Sequence, residues 1–219
     1  MPGLRQNHPQ PNDTSVGSKK SMHKPLLIPT ILSSTQHEAL RDLELVDGTF
    51  PWIQIDVLDG TFAPNKSWYD AKIFQKQPFT SSIELDLMVQ DPLKVIQQWL
   101  PVTNFKRAIW HIEAPVDHKK LIAFCRKHKR EVGLSLAPST DPRAILPYKD
   151  LIDEVMLLGV KPGWSGQTLL PTTIKKISVL KKIAPKLIIG FDGGVNEKNL
   201  SSLIKQGVKR LYAHHLIFG

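Results

Sequence analysis

From Leu26 onward, short apolar runs alternate with longer stretches in which apolar residues recur every three or four positions. That alternation predicts strands buried on both faces, each followed by an amphipathic helix, as in successive βαβ units around a parallel sheet. Strands are predicted near 26–32, 52–58, 82–89, 107–113, 131–137, 154–160, 186–192 and 209–213. Helices are predicted over Thr35–Val46, Trp68–Gln75, Pro92–Trp99, Val116–Lys129, Pro142–Tyr148, Pro171–Ile183 and Asn196–Lys205. Several open on good start signals: Asp91 before Pro92, Asp141 before Pro142, and Asn196 two residues ahead of Lys198. Eight such strands can close into a barrel or lie in an open doubly wound sheet, and periodicity alone does not choose between them. After the last apolar run, Leu211 to Phe218, the sequence stops at Gly219, so no eighth helix is predicted. Either the chain is truncated there or a partner subunit covers the gap, and an isolated monomer is expected to show an apolar groove near the last strand.

Composition narrows this to one domain. With 219 residues, 41% hydrophobic and 7% aromatic, the chain can bury one sizeable core and is long for two ordinary domains. The barrel is assigned to 25–219. Residues 1–24, rich in Pro, Asn, Gln, Ser and Lys and lacking a signal peptide's apolar segment, are expected to be a disordered tail. The formal charge of +9 comes from Lys and Arg scattered through the helices, not from one block with interleaved aromatics. A solvated basic surface follows, which favours encounter with an anionic substrate and gives no ground for a nucleic-acid partner. The single Cys125, set among Leu121, Ile122 and Phe124, excludes an internal disulfide or a Cys-rich zinc site and reads as a small core residue. An intracellular, cytoplasmic location is expected, and no run is long and apolar enough to span a membrane.

The residues that could carry chemistry lie where strands should end, the face that holds the active site in barrels of this kind. Asp56 lies in the second strand with Asp59 just after it, Asp86 lies in the third, and Asp192 ends the seventh. Gln54, Asp56 and Leu58 share one strand face, as do Glu84, Asp86 and Met88. Acidic side chains directed into an apolar barrel are costly unless paired or liganded, so three on three strands point to a functional cluster. Two Gly-rich loops add to this: 161–167 after the sixth strand and Asp192-Gly193-Gly194 after the seventh, whose backbone N–H groups could cradle a phosphate. His111, in His111-Ile112-Glu113, reads best as a hydrogen-bonded core histidine. His214-His215 on the last strand are harder to set aside, and the tail histidines His8 and His23 carry no signal.

The order of these motifs resembles the ribulose-phosphate 3-epimerase family from Leu26 to the C-terminus. The matching pieces are Pro29-Thr30-Ile31-Leu32-Ser33, Asp56-Val57-Leu58-Asp59-Gly60 with Phe62-Ala63-Pro64-Asn65, and Leu87-Met88-Val89. They continue with His111-Ile112-Glu113-Ala114, Pro162-Gly163-Trp164-Ser165-Gly166-Gln167 and Asp192-Gly193-Gly194-Val195. The resemblance implies a single (β/α)₈ TIM barrel of the ribulose-phosphate-binding type and a place in pentose phosphate metabolism. It implies a phosphorylated ketose substrate inverted at the carbon next to the carbonyl, with Asp56 and Asp192 as the acid/base pair acting through an enediolate. Thr30, Met88, Gly163, Gly166, Gly193 and Gly194 are the implied substrate contacts, and further copies of the chain the implied partners.

In the family pattern a divalent metal is held by two aspartates and two histidines, and this chain departs from it at both histidine positions, which carry Gln54 and Asp86. The metal ligands implied here are the oxygen donors Gln54, Asp56, Asp86 and Asp192, which favour Mg²⁺ or Mn²⁺ over Zn²⁺; a metal-free site is the alternative. The family's Gly-Ser after the eighth strand is replaced by His214-His215, and a side chain there is expected to conflict with a left-handed backbone. Together these departures support a second reading, a catalytically degenerate barrel with a binding or structural role.

Overall fold

The computed structural model describes residues 25–163 and 166–219; the tail assigned to 1–24 lies outside the described residues, as do Trp164 and Ser165. Short polar side chains start most of the helices by accepting from backbone N–H groups that no helical carbonyl can reach. Thr35 caps α1 (Gln36–Val46), Asp70 caps α2 (Ala71–Lys76), Asp91 caps α3 (Pro92–Trp99) and Asp117 caps α4 (His118–Lys127). Pro171 opens α5 (Pro171–Ile183) without a side-chain cap, and Asn196 opens α6 (Glu197–Gln206) with a reciprocal capping box to Asn199.

Between them run eight strands: β1 (Leu26–Ile31), β2 (Trp52–Leu58), β3 (Ser82–Met88), β4 (Phe105–His111), β5 (Glu131–Leu136), β6 (Glu154–Leu158), β7 (Ile188–Asp192) and β8 (Arg210–Ala213). All pair in parallel and in sequence order, and β8 returns to β1 with Leu26 opposite Arg210 and Pro29 opposite Ala213. The sheet is therefore a closed (β/α)₈ barrel, which leaves no strand edge unpaired.

Four predictions need correction, besides β6, which ends two residues early, β7, which begins two residues late, and α4, which is two residues shorter at each end than predicted. Trp68–Asp70 is not helical, because the Trp68 N–H is drawn to the Ser33 carbonyl at 2.8 Å and Asp70 is the cap of α2. The segment predicted as a helix over Pro142–Tyr148 is a 3-10 turn at Pro142–Ile145 followed by further tight turns. β4 begins and ends two residues earlier than predicted, leaving Ile112 and Glu113 in the loop. A one-turn helix, α7 (His215–Phe218), follows β8 where no helix was predicted, so His214 and His215 lie beyond the last strand. Leu216, Ile217 and Phe218 on that turn pack against the apolar layers between sheet and helices.

The inside of the barrel is layered. Near the N-terminal ends of the strands, Glu84, Arg107, Glu154 and Arg210 are buried together. Arg107 pairs with Glu84 and, at 2.8 Å, with Glu131, while Arg210 pairs with Glu154. Trp52 stacks on the Arg107 guanidinium at 3.9 Å. A small apolar layer of Ile28, Ile109, Met156 and Tyr212 fills the middle. Gly190 of β7 makes room for this packing: a Cβ there would strike the Glu154 carboxylate and come within 2.9 Å of the Tyr212 ring. Two residues further along their strands than Gln54 and Glu84 stand Asp56 and Asp86, at the C-terminal end.

Candidate active site

Asp56, Asp86 and Asp192 are delivered by β2, β3 and β7 to the same end of the barrel, and each offers a carboxylate oxygen within 4.8 Å of the others. β2 and β3 are in register, Asp56 opposite Asp86, so strand pairing sets that proximity. Asp192 arrives from the other side of the ring. The Gln54 side chain joins the two sides: its Nε2 donates to Asp56 Oδ1 at 2.8 Å and to Asp192 Oδ2 at 3.3 Å.

Above this cluster opens a cavity of about 370 Å³. Asp56, Asp192, Thr30 and Met88 line it, as do Gly163, Gly166, Gly193 and Gly194, so all the substrate contacts implied by the sequence share one wall or another of the same space. Asp86 and Gln54 do not line it; both are fully buried beneath. Gly194 has a left-handed φ of 72°, and a Cβ there would come within 2.8 Å of the Leu169 amide nitrogen, so only glycine permits the β6 and β7 loops to meet so closely.

Burial and mutual repulsion dominate the electrostatics. The Asp56 carboxyl is held well above its ordinary value by desolvation and then by the charge of Asp192, against the bond from Gln54. Asp86 is raised likewise, by desolvation and then by Asp56 and Asp192. Asp192 keeps an open edge on the cavity, yet enough protein surrounds its carboxyl group to raise it to about 6, with the Gln54 side chain and the Gly193 amide opposing the shift. Both oxygens of Asp86 and the Oε1 of Gln54 are buried without a hydrogen-bond partner. Three converging carboxylates, with both oxygens of Asp86 unsatisfied, are a donor set that suits a hard divalent cation, while Gln54 turns its nitrogen and not Oε1 toward Asp56 and Asp192.

Other residues take different places. Asp59 belongs to the loop after β2, accepting from the Thr61 and Gln90 amides at 2.8 and 2.9 Å, and is not part of the cluster. His111 is a fully buried core histidine, its Nδ1 3.2 Å from Glu113 and its ring against Phe62 at 4.6 Å. Cys125 is buried, with its thiol pushed up to about 12 by desolvation. His214 sits at φ −98°, ψ −65°, an ordinary right-handed conformation, so the expected conflict between its side chain and a left-handed backbone does not arise. Sequence reasoning missed Lys161 and Tyr212, which also line the cavity. Tyr212 donates to Glu154 Oε1 at 2.7 Å and ties the cavity floor to the charged layer below. The signal for that layer was in the sequence: Glu84, Arg107, Glu154 and Arg210 interrupt apolar runs.

Residues 26–218 match the model of the ribulose-phosphate 3 epimerase family. Similar proteins include a ribulose-phosphate 3-epimerase of Schizosaccharomyces pombe, 28% identical over 171 residues covering 76% of this chain and 75% of the relative. One of Chlamydia pneumoniae is 30% identical over 155 residues, covering 68% and 67%. A chloroplastic ribulose-5-phosphate-3-epimerase of Arabidopsis thaliana is 28% identical over 207 residues, covering 89% and 72%. Among solved structures, a mutant tryptophan synthase alpha-subunit from Pyrococcus furiosus superposes with a TM-score of 0.70 at 15% identity over 89% of each chain, a likeness of fold alone. A family match running almost the whole length of the barrel, with relatives of one kind behind it, decides the lineage: the chain belongs to the ribulose-phosphate 3 epimerase family.

Proposed function

We propose that this chain is a sugar-phosphate 3-epimerase, inverting the carbon next to the carbonyl of a pentulose phosphate in pentose phosphate metabolism. The observation that carries the reading is the pair Asp56 and Asp192, on opposite sides of the barrel mouth under one glycine-lined cavity and bridged by one amide group. Inversion needs a base on one face of the reacting carbon and an acid on the other. Two carboxyl groups that discourage each other's ionisation favour one protonated and one charged member, the state such a reaction requires. The Gln54 NH₂ can only donate, so the carboxylate oxygens it touches must accept, leaving the other oxygen of each to face the substrate or carry the proton. Met88 would supply an apolar wall around the sugar carbons together with Leu32, while Leu58 is buried in the cluster behind them, and the glycines of the two loops and Thr30 would receive the phosphate end.

Asp56, Asp86 and Asp192 would hold a divalent cation, joined by Gln54 Oε1 once its amide turns from the orientation in which Nε2 faces Asp56 and Asp192, and these all-oxygen donors favour Mg²⁺ or Mn²⁺ over Zn²⁺. Such an ion supplies polarisation of the ketone and stabilisation of enediolate charge. Asp86, fully buried, would serve that ion without touching the sugar. The test is proton exchange into D-ribulose 5-phosphate in deuterated water, followed by NMR with Mg²⁺, Mn²⁺ or chelator present. Deuterium at the carbon next to the carbonyl is the expected result. No exchange under any metal and pH tried would remove this substrate and leave the degenerate-barrel reading.

A further inference from the structure

His214 enters the cavity immediately after β8, and one bond fixes its chemistry. Its Nδ1 lies 2.8 Å from the Thr30 carbonyl oxygen, which can only accept, so Nδ1 carries a hydrogen. The ring packs against Phe218 at 4.8 Å and against His215 at 5.5 Å, which holds it in place. Among the described residues nothing bonds Nε2. A neutral ring in this tautomer presents a lone pair there and would repel an anion's oxygen. Only the imidazolium can donate from both nitrogens at once.

We propose that His214 is a specificity-determining residue for the anionic end of the ligand: Nε2 takes a proton from solvent as a phosphate-like dianion docks, keeps it, and donates a hydrogen bond to an anion oxygen. The inference rests on the reading that the glycine-lined end of the cavity receives a phosphate. It adds that anion binding and imidazole protonation are one event, so the site prefers a dianion and weakens as pH rises. The groups facing the same space can be named. Lys161 from the loop after β6 is a standing cation, and Asp192 of β7 and Asp56 of β2 are the acids on the floor. His215, exposed on α7, lies against Gly166, with Cε1 and Nε2 3.3 Å from where a Cβ would stand. Thr30 of β1 and Asn196 before α6 are uncharged. Ionisation of Asp192 would also weaken an anion's binding as pH rises, so the test must separate it from His214.

Sulfate stays a dianion across the range of interest, so any proton taken up with it belongs to the protein. Titration calorimetry of the full chain with sulfate and with D-ribulose 5-phosphate, in buffers of different ionisation enthalpy, reads that uptake directly. Wild type is expected to take up close to one proton per sulfate at about pH 8 and to lose about tenfold in affinity per pH unit there. His214→Gln is expected to bind weakly with little pH dependence, His214→Lys to bind well with little pH dependence, and His215→Gln to keep the wild-type proton uptake per bound sulfate whatever its affinity. A His214→Gln protein that keeps the wild-type slope overturns the proposal and transfers the linkage to Asp192 or His215; absence of sulfate binding by wild type overturns it too. Sulfate uptake that depends on His214, with no binding of D-ribulose 5-phosphate, upholds the anion reader and sinks the ketose-phosphate reading. Binding of the sugar phosphate with His214-independent proton uptake does the reverse.

Discussion

A carboxyl group that must both release and accept a proton works best with a pKa near the operating pH, and burial brings Asp192 to about 6. If Asp56 and Asp192 are the acid/base pair, Asp56→Asn and Asp192→Asn should each lower kcat by about 10²–10⁴-fold, with unchanged circular dichroism. Retained turnover in either variant would dismiss that carboxylate. The same groups set a pH dependence of stability. Asp56, Asp86 and Asp192 are all raised in the fold, so between the ordinary carboxylate value and the raised one the folded state binds more protons than the unfolded chain. Their contribution is fully present at low pH and is lost as pH rises, for Asp192 between about 4 and about 6. The lowered acids Asp47, Asp59, Glu113 and Asp141 act in the opposite sense but are complete once pH exceeds the ordinary carboxylate range, whereas Glu84, raised to about 7, adds to the fall and the lowered His118 opposes it below about 6.5. The melting temperature without divalent ions should therefore fall from pH 5 to pH 7, and Mn²⁺ or Asp86→Asn should reduce the fall. A pH dependence over that interval that Asp86→Asn leaves unchanged would refute the shared burial of the three acids. Strand parity made these aspartates legible from sequence. The Gln54 bridge and the His214 tautomer were not, because each depends on which atoms a folded neighbour presents.

Strands and helices were legible wherever local signals agreed with tertiary demands. Pro171–Ile183 and Pro92–Trp99 fall where proline and the apolar period place them. The reading failed where a distant carbonyl competed, as Ser33 does for the Trp68 amide, or where the turn closed more tightly than an α-helix, as when Leu146 and Tyr148 donate three residues back. What periodicity could not supply was closure. Barrel and open sheet share one pattern, and the difference lies in β8 finding β1. The strands also carry an ionic layer whose worth can be measured. Arg107 is fully buried beside Glu84, also fully buried and raised to about 7 chiefly by desolvation, with the guanidinium pulling it down. Arg107→Met leaves a buried carboxylate without its partner and should cost about 3–5 kcal/mol in denaturant unfolding, while Glu84→Leu combined with Arg107→Met should recover most of the loss. If the double variant were as unstable as the single one, packing around Trp52 and not charge would be the main contribution.

Taken whole, the molecule hides acid and displays base. The formal charge is +9, yet the interior holds Glu84, Glu154, Asp56 and Asp86 against Arg107 and Arg210. The solvated surface is thus more positive than the count suggests, and Lys161 carries that sign to the cavity wall. A positive field raises the encounter rate with an anionic ester by roughly 10–10³-fold at low salt, and the Debye length shrinks from about 30 Å at 0.01 M to about 8 Å at 0.15 M ionic strength. If the substrate is a sugar phosphate, kcat/KM should therefore fall several-fold over that range while kcat, read at saturation, changes little. Lys161→Gln should lower kcat/KM further at low salt and make it less sensitive to added salt. A kcat/KM indifferent to salt in wild type would mean that the basic surface serves solvation alone, and that the cavity gains its selectivity only from the groups that touch the ligand.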